Sequence, residues 1–204
     1  MEKEIIIMGA GGQTRSLIPI LLQNHYIVHG ILDDTFEPGR EELIMSSKLI
    51  GKLNDYRQMY PVVLAFGDNQ KRMQLFELFK NYILQDNLIH STAFIDPEAT
   101  LGISNQVFGR CFINAKAVIG DNNIINTGCI IEHEVKTGSH NHISVGSLLC
   151  GRVSIGDQCF IGAGAVVIDK ISICSNVTVG ANSVVINHIT EPGVYVGNPA
   201  RKIK

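Results

Sequence analysis

Ile113-Asn-Ala-Lys-Ala-Val-Ile119-Gly-Asp-Asn-Asn-Ile-Ile125-Asn-Thr-Gly-Cys-Ile-Ile131 is the stretch that decides the fold of this chain. An aliphatic residue returns at every sixth position, and the register extends both ways without an insertion. It runs from Ile95 through Leu101 and Val107 to Ile113, Ile119, Ile125 and Ile131. After Thr137 it resumes at Ile143, Leu149, Ile155, Ile161, Val167, Ile173, Val179 and Val185. Thr137 is the one departure. Four residues after the aliphatic position stands a small or β-branched one, as at Cys111, Ala117, Cys129, Ser147, Cys159 and Ala165. Glycine often follows it directly, as at Gly102, Gly120, Gly138, Gly156, Gly162 and Gly180. This period belongs to a parallel β-helix of hexapeptide repeats, in which three hexads close one triangular coil of about 18 residues. The aliphatic side chain points inward from each face, and the small one fills the space beside a corner. The glycine is expected to permit a tight backbone there. Cys111, Cys129 and Cys159 read as small core hydrophobes.

The composition of the chain splits at this repeat. Residues 101–190 hold 26 Ile plus Val against 3 Leu, with no Pro, and contain all five Cys. Such a segment suits sheet and not helix. Residues 1–92 hold 12 Leu and alternate strand-like with helix-like runs. Over all 204 residues, 45% are apolar and 18% charged, which is enough for a real core. The net charge of -2 argues against a general nucleic-acid binder, which needs clustered Lys and Arg. No apolar run approaches the ~20 residues of a membrane span. Met1-Glu2-Lys3-Glu4 leads straight into a strand-like run without a basic leader segment. The cysteines form no CxxC pair. A cytoplasmic protein is expected.

Residues 131–143 carry the chemistry: Ile131-Glu-His133-Glu134-Val-Lys-Thr137-Gly-Ser-His140-Asn-His142-Ile143. Three of the seven His cluster at the only break in the repeat. His133, two residues after an inward position, should point outward. A histidine held by a neighbouring carboxylate such as Glu134 keeps one tautomer and takes a proton near neutral pH. One coil further on stands Gly151, whose backbone N–H is placed to stabilise an oxyanion. Val145, Ala163 and Ala181 form a column of mostly small side chains, expected to line a groove beside His133 for an extended thioester.

The first half reads as a small parallel sheet with ligand-binding tips. Glu4–Met8 is a buried strand followed by Gly9-Ala10-Gly11-Gly12 and a helix over Arg15–Asn24 that contains Pro19. Strand, glycine turn and helix is a phosphate-binding arrangement, although Thr14 replaces the last glycine of the dinucleotide fingerprint. A second strand, Ile27–Leu32, ends in Asp33-Asp34. A third, Val62–Phe66, ends in Gly67-Asp68-Asn69 and leads to a helix with Arg72. All three tips should share one rim, where open α/β sheets bind ligands.

These motifs in this order, together with the terminal Gly197-Asn-Pro-Ala-Arg201, make the chain resemble the PglD/NeuD family of hexapeptide-repeat sugar acetyltransferases. The resemblance implies a Rossmann-like nucleotide-sugar domain at residues 1–88, a left-handed β-helix binding acetyl-CoA at 89–190 and a C-terminal cap at 191–204. It implies a homotrimer with sites between subunits, no metal and no membrane span. His133 would be the general base and Glu134 its orienting partner. His142 and Gly151 would meet the thioester end of acetyl-CoA, and Ala163 and Ala181 the pantetheine arm. Gly9, Gly11, Gly12, Gln13, Asp33, Asp34, Gly67, Asp68, Asn69 and Arg72 would hold the sugar nucleotide. Gln13 stands where relatives often have His. The reaction implied is acetyl transfer to the amine of a nucleotide-linked amino sugar, with a UDP-linked 4-amino-deoxysugar favoured. Two alternatives are O-acetylation of a sialic acid hydroxyl, and a zinc enzyme using His133, His140 and His142 across subunits.

Overall fold

The computed structural model describes residues 3–39 and 41–204; Met1 and Glu2 lie outside them. From residue 88 onward the chain is a left-handed parallel β-helix with three faces of six, five and eight strands. Each coil stacks on the one 18 residues later, so that Phe112 pairs with Ile130 and Ile113 with Ile131. The second residue of each two-residue strand of the coils is the hexad position, aliphatic in all but Thr137. Ile113, Ile131, Leu149, Ile161 and Val167 are fully buried. Cys111, Cys129 and Cys159 are buried among them, and the Cys129 thiol donates to the Ser144 carbonyl at 3.0 Å.

The corners are built differently from the expectation. The left-handed backbone falls three residues after nearly every hexad position, and mostly on residues other than glycine: Lys116, Asn122, Glu134, His140, Arg152 and Gln158 all have φ near +60°. The glycines directly after the aliphatic position serve close coil-to-coil approach instead. A Cβ on Gly120 would sit 2.6 Å from the Gly138 carbonyl oxygen. Glu134, with φ +59°, therefore obeys the corner geometry of every coil and shows no strain peculiar to a catalytic residue.

The N-terminal domain is a five-stranded sheet in the order β3-β4-β2-β1-β5. Its strands are β1 (Lys3–Met8), β2 (Tyr26–Leu32), β3 (Leu43–Ile44), β4 (Ser47–Gly51) and β5 (Val62–Leu64). β1 lies parallel to β2 and to β5, so their tips share one rim. The hairpin β3–β4 went unread in the sequence. Helix α1 (Gly12–Gln23) continues through Pro19, and α2 (Asn69–Leu78) follows the β5 tip. This domain packs on the eight-stranded face of the β-helix. Leu88, Phe108 and Ile124 share one apolar core with Ile5, Leu17 and Leu21. The C-terminal residues Gly193–Val196 and Arg201–Lys202 extend the same face.

Candidate active site

His133 and Glu134 occupy the corner between the six- and five-stranded faces. His133 Nδ1 lies 3.2 Å from Glu134 Oε2, and both side chains are about half exposed. With its Nδ1–H donated to the carboxylate, the ring presents Nε2 as an unprotonated acceptor. Gly151 lies directly on the next coil. A Cβ there would come 2.7 Å from His133 Nε2, so a larger residue would have to displace the ring from its place. The Gly151 N–H forms no hydrogen bond among the described residues. An imidazole acceptor, a carboxylate and a free N–H donor thus stand at one corner, a set of groups that can serve an acyl transfer.

Ala163 and Ala181 do not stand beside it. They lie with Val145 at the corner between the eight- and six-stranded faces, exposed, and the whole six-stranded face separates them from His133 of the same chain. Thr137, the break in the hexad, belongs to neither corner. It is a buried position of the five-stranded face with an unpartnered hydroxyl. The break and the histidine cluster therefore do not mark one place.

His142 points outward from its coil but is buried beneath the N-terminal domain, edge-on to Phe160. Nδ1–H faces the Gly67 carbonyl at 3.2 Å, and Nε2 faces the Asn126 amide nitrogen at 3.2 Å. Both ring nitrogens are committed in the neutral form. Burial, aided by the Arg72 charge, lowers its pKa to about 4. Burial and Arg72 also lower that of His140, which packs edge-on to Phe76. The unfolded chain then binds the proton of His142 more readily than the folded one between about 6.5 and 4. Stability is expected to fall by up to a few kcal/mol as pH drops through that window. The variant H142Q, measured by denaturant unfolding at a series of pH values, should flatten this part of the profile. An unchanged slope would show that His142 titrates normally.

The rim of the N-terminal sheet gathers the other expected residues. Gly9 approaches β5 closely, with a Cβ there only 2.8 Å from the Ala65 carbonyl oxygen. Gly11 and Gly12 face open space at the start of α1, whose N-terminus carries no side-chain cap. Asp33 accepts from the Ala10 N–H at 2.9 Å and from Thr35. Burial alone would raise its pKa, but these bonds outweigh it and hold the carboxyl below its ordinary value. Asp34 is exposed beside it. Gln13 turns toward the β-helix and donates to Gln106 at 3.1 Å, which in turn donates to the Leu64 carbonyl.

Two expectations at the β5 tip, Arg72 and Asn69, need correction. Arg72 is fully buried and spends its guanidinium on the carbonyls of Phe66, Asn122, His140 and Asn141 and on Asn69 Oδ1. It has no donor to offer a substrate. Asn69 is likewise committed, its amide donating to the Cys159 carbonyl at 2.9 Å. Asp68 caps α2 by accepting from the Lys71 N–H at 2.7 Å. What remains open there is the backbone and outer edge of Gly67-Asp68-Asn69.

That edge lines a cleft of about 680 Å³ between α2 and the β-helix. Its far wall is Gln158, Phe160, Asn176 and Thr178, none of them expected from the sequence. The signal was available. Phe160 and Thr178 follow His142 at successive 18-residue steps on the outward side of one face. Among the described residues no cluster of metal-ligating side chains forms; His133 stands at a different corner from His140, and His142 lies on the eight-stranded face. No helix among them is long and apolar enough to cross a membrane.

Comparison with known proteins agrees with this architecture. The PglD N-terminal domain family matches residues 4–79, and the bacterial transferase hexapeptide family matches residues 152–187. PerB from Caulobacter crescentus, solved with CoA and GDP-perosamine, is 29% identical, with a TM-score of 0.90 over 100% of this chain and 99% of its own. The acetyltransferase domain of PglB from Neisseria gonorrhoeae, solved with acetyl coenzyme A, is 27% identical, with a TM-score of 0.91 over 100% of both chains. WeeI from Acinetobacter baumannii, at 18% identity and a TM-score of 0.77 over 98% of this chain and 100% of its own, shares the fold. A protein of Acanthamoeba polyphaga mimivirus is 32% identical over 105 residues, half of this chain, which spans 21% of that relative's length. Residues 4–79 thus belong to the PglD N-terminal domain family and residues 152–187 to the bacterial transferase hexapeptide family, a combination in which the chain resembles the PglD/NeuD-type sugar acetyltransferases.

Proposed function

We propose that the protein transfers acetyl from acetyl-CoA to the amine of a nucleotide-linked amino sugar. The observation that carries this reading is the His133–Glu134 pair beside the free Gly151 N–H, on a chain similar along its whole length to enzymes solved with CoA and GDP-perosamine. The amine attacks the thioester carbonyl directly. His133 Nε2 takes the proton from the attacking nitrogen, and Glu134 steadies the imidazolium that forms. The Gly151 N–H stabilises the tetrahedral oxyanion, and its collapse expels CoA thiolate, which His133 can reprotonate. Residues 1–88 hold the sugar nucleotide along the rim of Gly9, Gly11, Gly12, Asp33, Asp34 and Gly67. Residues 89–190 hold acetyl-CoA, and 191–204 cap the β-helix.

The site is completed by a second copy of the chain. The outer column of the six-stranded face is apolar, with Phe94 stacked on Phe112 and Ile130 39% exposed on the next coil. Such a column calls for a cover. Closed rotational symmetry would lay the His133 corner of one chain against the Ala163–Ala181 corner of the next. In a homotrimer each site then draws its base from one chain and its pantetheine groove from another. His142, buried under its own Gly67, forms the wall on the acceptor side. We place the enzyme in the cytoplasm, where its five free thiols stay reduced.

The test is direct. The protein is incubated with acetyl-CoA and a panel of UDP-, GDP- and dTDP-linked amino sugars, plus free sialic acid. Acetylated product is read by mass spectrometry. Acetylation of the UDP-linked 4-amino-deoxysugar is the expected result; turnover confined to another nucleotide moves the base assignment. Acetylation of sialic acid alone, or of nothing, overturns the reading.

A further inference from the structure

Arg72 carries the inference, because it was expected at the substrate and stands elsewhere. It is a fully buried cation with no carboxylate hydrogen-bonded to it. Its donors are divided between two bodies. On the β-helix side they reach the carbonyls of Asn122 at 3.2 Å and of His140 and Asn141 at 2.9 Å each. On the domain side they reach the Phe66 carbonyl at 3.0 Å and Asn69 Oδ1 at 2.9 Å. Phe66 and Asn69 flank Gly67 and Asp68, which line the cleft. Two further bonds tie the same segment to the coils: His142 to the Gly67 carbonyl and the Asn69 amide to the Cys159 carbonyl.

Only a planar, five-donor head can span acceptors on both sides. Main-chain carbonyls are what a desolvated cation needs in place of water, and a carboxylate partner would fix Arg72 to one body alone. The bonds therefore do more than stabilise the interface. They set where the rim of the sheet stands relative to the coils that carry the thioester.

We infer that Arg72 is a positioning residue that holds the acceptor loop Gly67–Asn69 in place from the β-helix side. This rests on the acetyl-transfer reading above. A lysine at this position keeps the charge, but its three donors all leave one nitrogen, so it cannot reproduce the spread of Nε, Nη1 and Nη2 over the acceptors of both bodies. The acceptor loop then drifts, while the His133 corner and the pantetheine groove are untouched.

Steady-state kinetics of purified R72K, with each substrate varied in turn, test this. The KM for the sugar nucleotide should rise about tenfold, the scale of one lost hydrogen bond to a charged group, with that for acetyl-CoA within about twofold of wild type. N69A removes one of the two loop-side acceptors of Arg72, together with the Asn69 bond to the Cys159 carbonyl, and should shift the same constant in the same direction. If R72K does not fold, N69A carries the test alone. The double variant should fall short of the product of the two effects, because both remove one bond. A merely structural Arg72 predicts lower stability and a smaller active fraction, seen as reduced kcat with both KM values unchanged. That outcome, or an equal rise in both KM values, overturns the inference. Wild-type protein that acetylates no sugar nucleotide refutes the functional reading instead.

Discussion

Replacing His133 with alanine lowers kcat by about 10²–10⁴-fold, the range a general base contributes. The fold should not register the change. His133 is half exposed at a corner, and its side-chain ion pair is with Glu134, itself about half exposed. The buried residues of that coil, Ile131 and Val135, are untouched. The loss should appear equally in kcat and kcat/KM, because the proton is transferred only in the transition state and not in the bound ground state. The KM for acetyl-CoA should hold, since the groove proposed for the pantetheine lies at another corner. Turnover within about threefold of wild type would end the assignment of His133, as the usual effect of a lost base is far larger.

The hexad was legible because a β-helix writes its geometry into the chain at fixed spacing. Every residue 18 apart shares a column, so Gly151 could be set beside His133, and Phe160 beside His142. The same arithmetic was applied incompletely to the groove. Val145 lies 12 residues after His133, two faces along the coil and not one coil up. Both positions follow an inward aliphatic by two, which made them look alike. Only the phase of the triangle tells them apart. Arg72 was illegible for a different reason. Its acceptors on the β-helix are main-chain carbonyls 50 to 69 residues away in the chain, and a carbonyl has no sequence signature. Gly-Asp-Asn and Arg read together as substrate ligands because a glycine turn and three polar side chains follow one strand tip within a few residues. Burial alone separates the ligand from the scaffold that holds it, and burial at a domain interface depends on what folds over it. The glycines misled in a smaller way. Their periodicity was real, but it answers to the coil above and not to the turn, and Lys116 and Glu134 take the left-handed corners at φ +58° and +59°.

Two variants that are each inactive should restore activity when they share an assembly. H133A keeps an intact groove but has no base. A163W keeps the base but fills the pantetheine path with a large ring at an exposed corner, where the coil tolerates it. In one chain these two positions are held apart by the six-stranded face, so no folding of a single chain can unite them. If the site forms between copies, an intact site needs the His133 corner from an A163W chain and the Ala163 corner from an H133A chain. In a ring assembled at random from equal amounts, about one interface in four has that arrangement. Refolding or co-expressing the pair should therefore return about a quarter of wild-type turnover, from a background reduced at least a hundredfold. Simple mixing of preformed assemblies should return nothing until subunits exchange, which separates this effect from contaminating wild type. A co-assembled mixture as inactive as its parts would mean that base and groove serve each other within one chain, and the corner assignment drawn from the three faces would have to be abandoned.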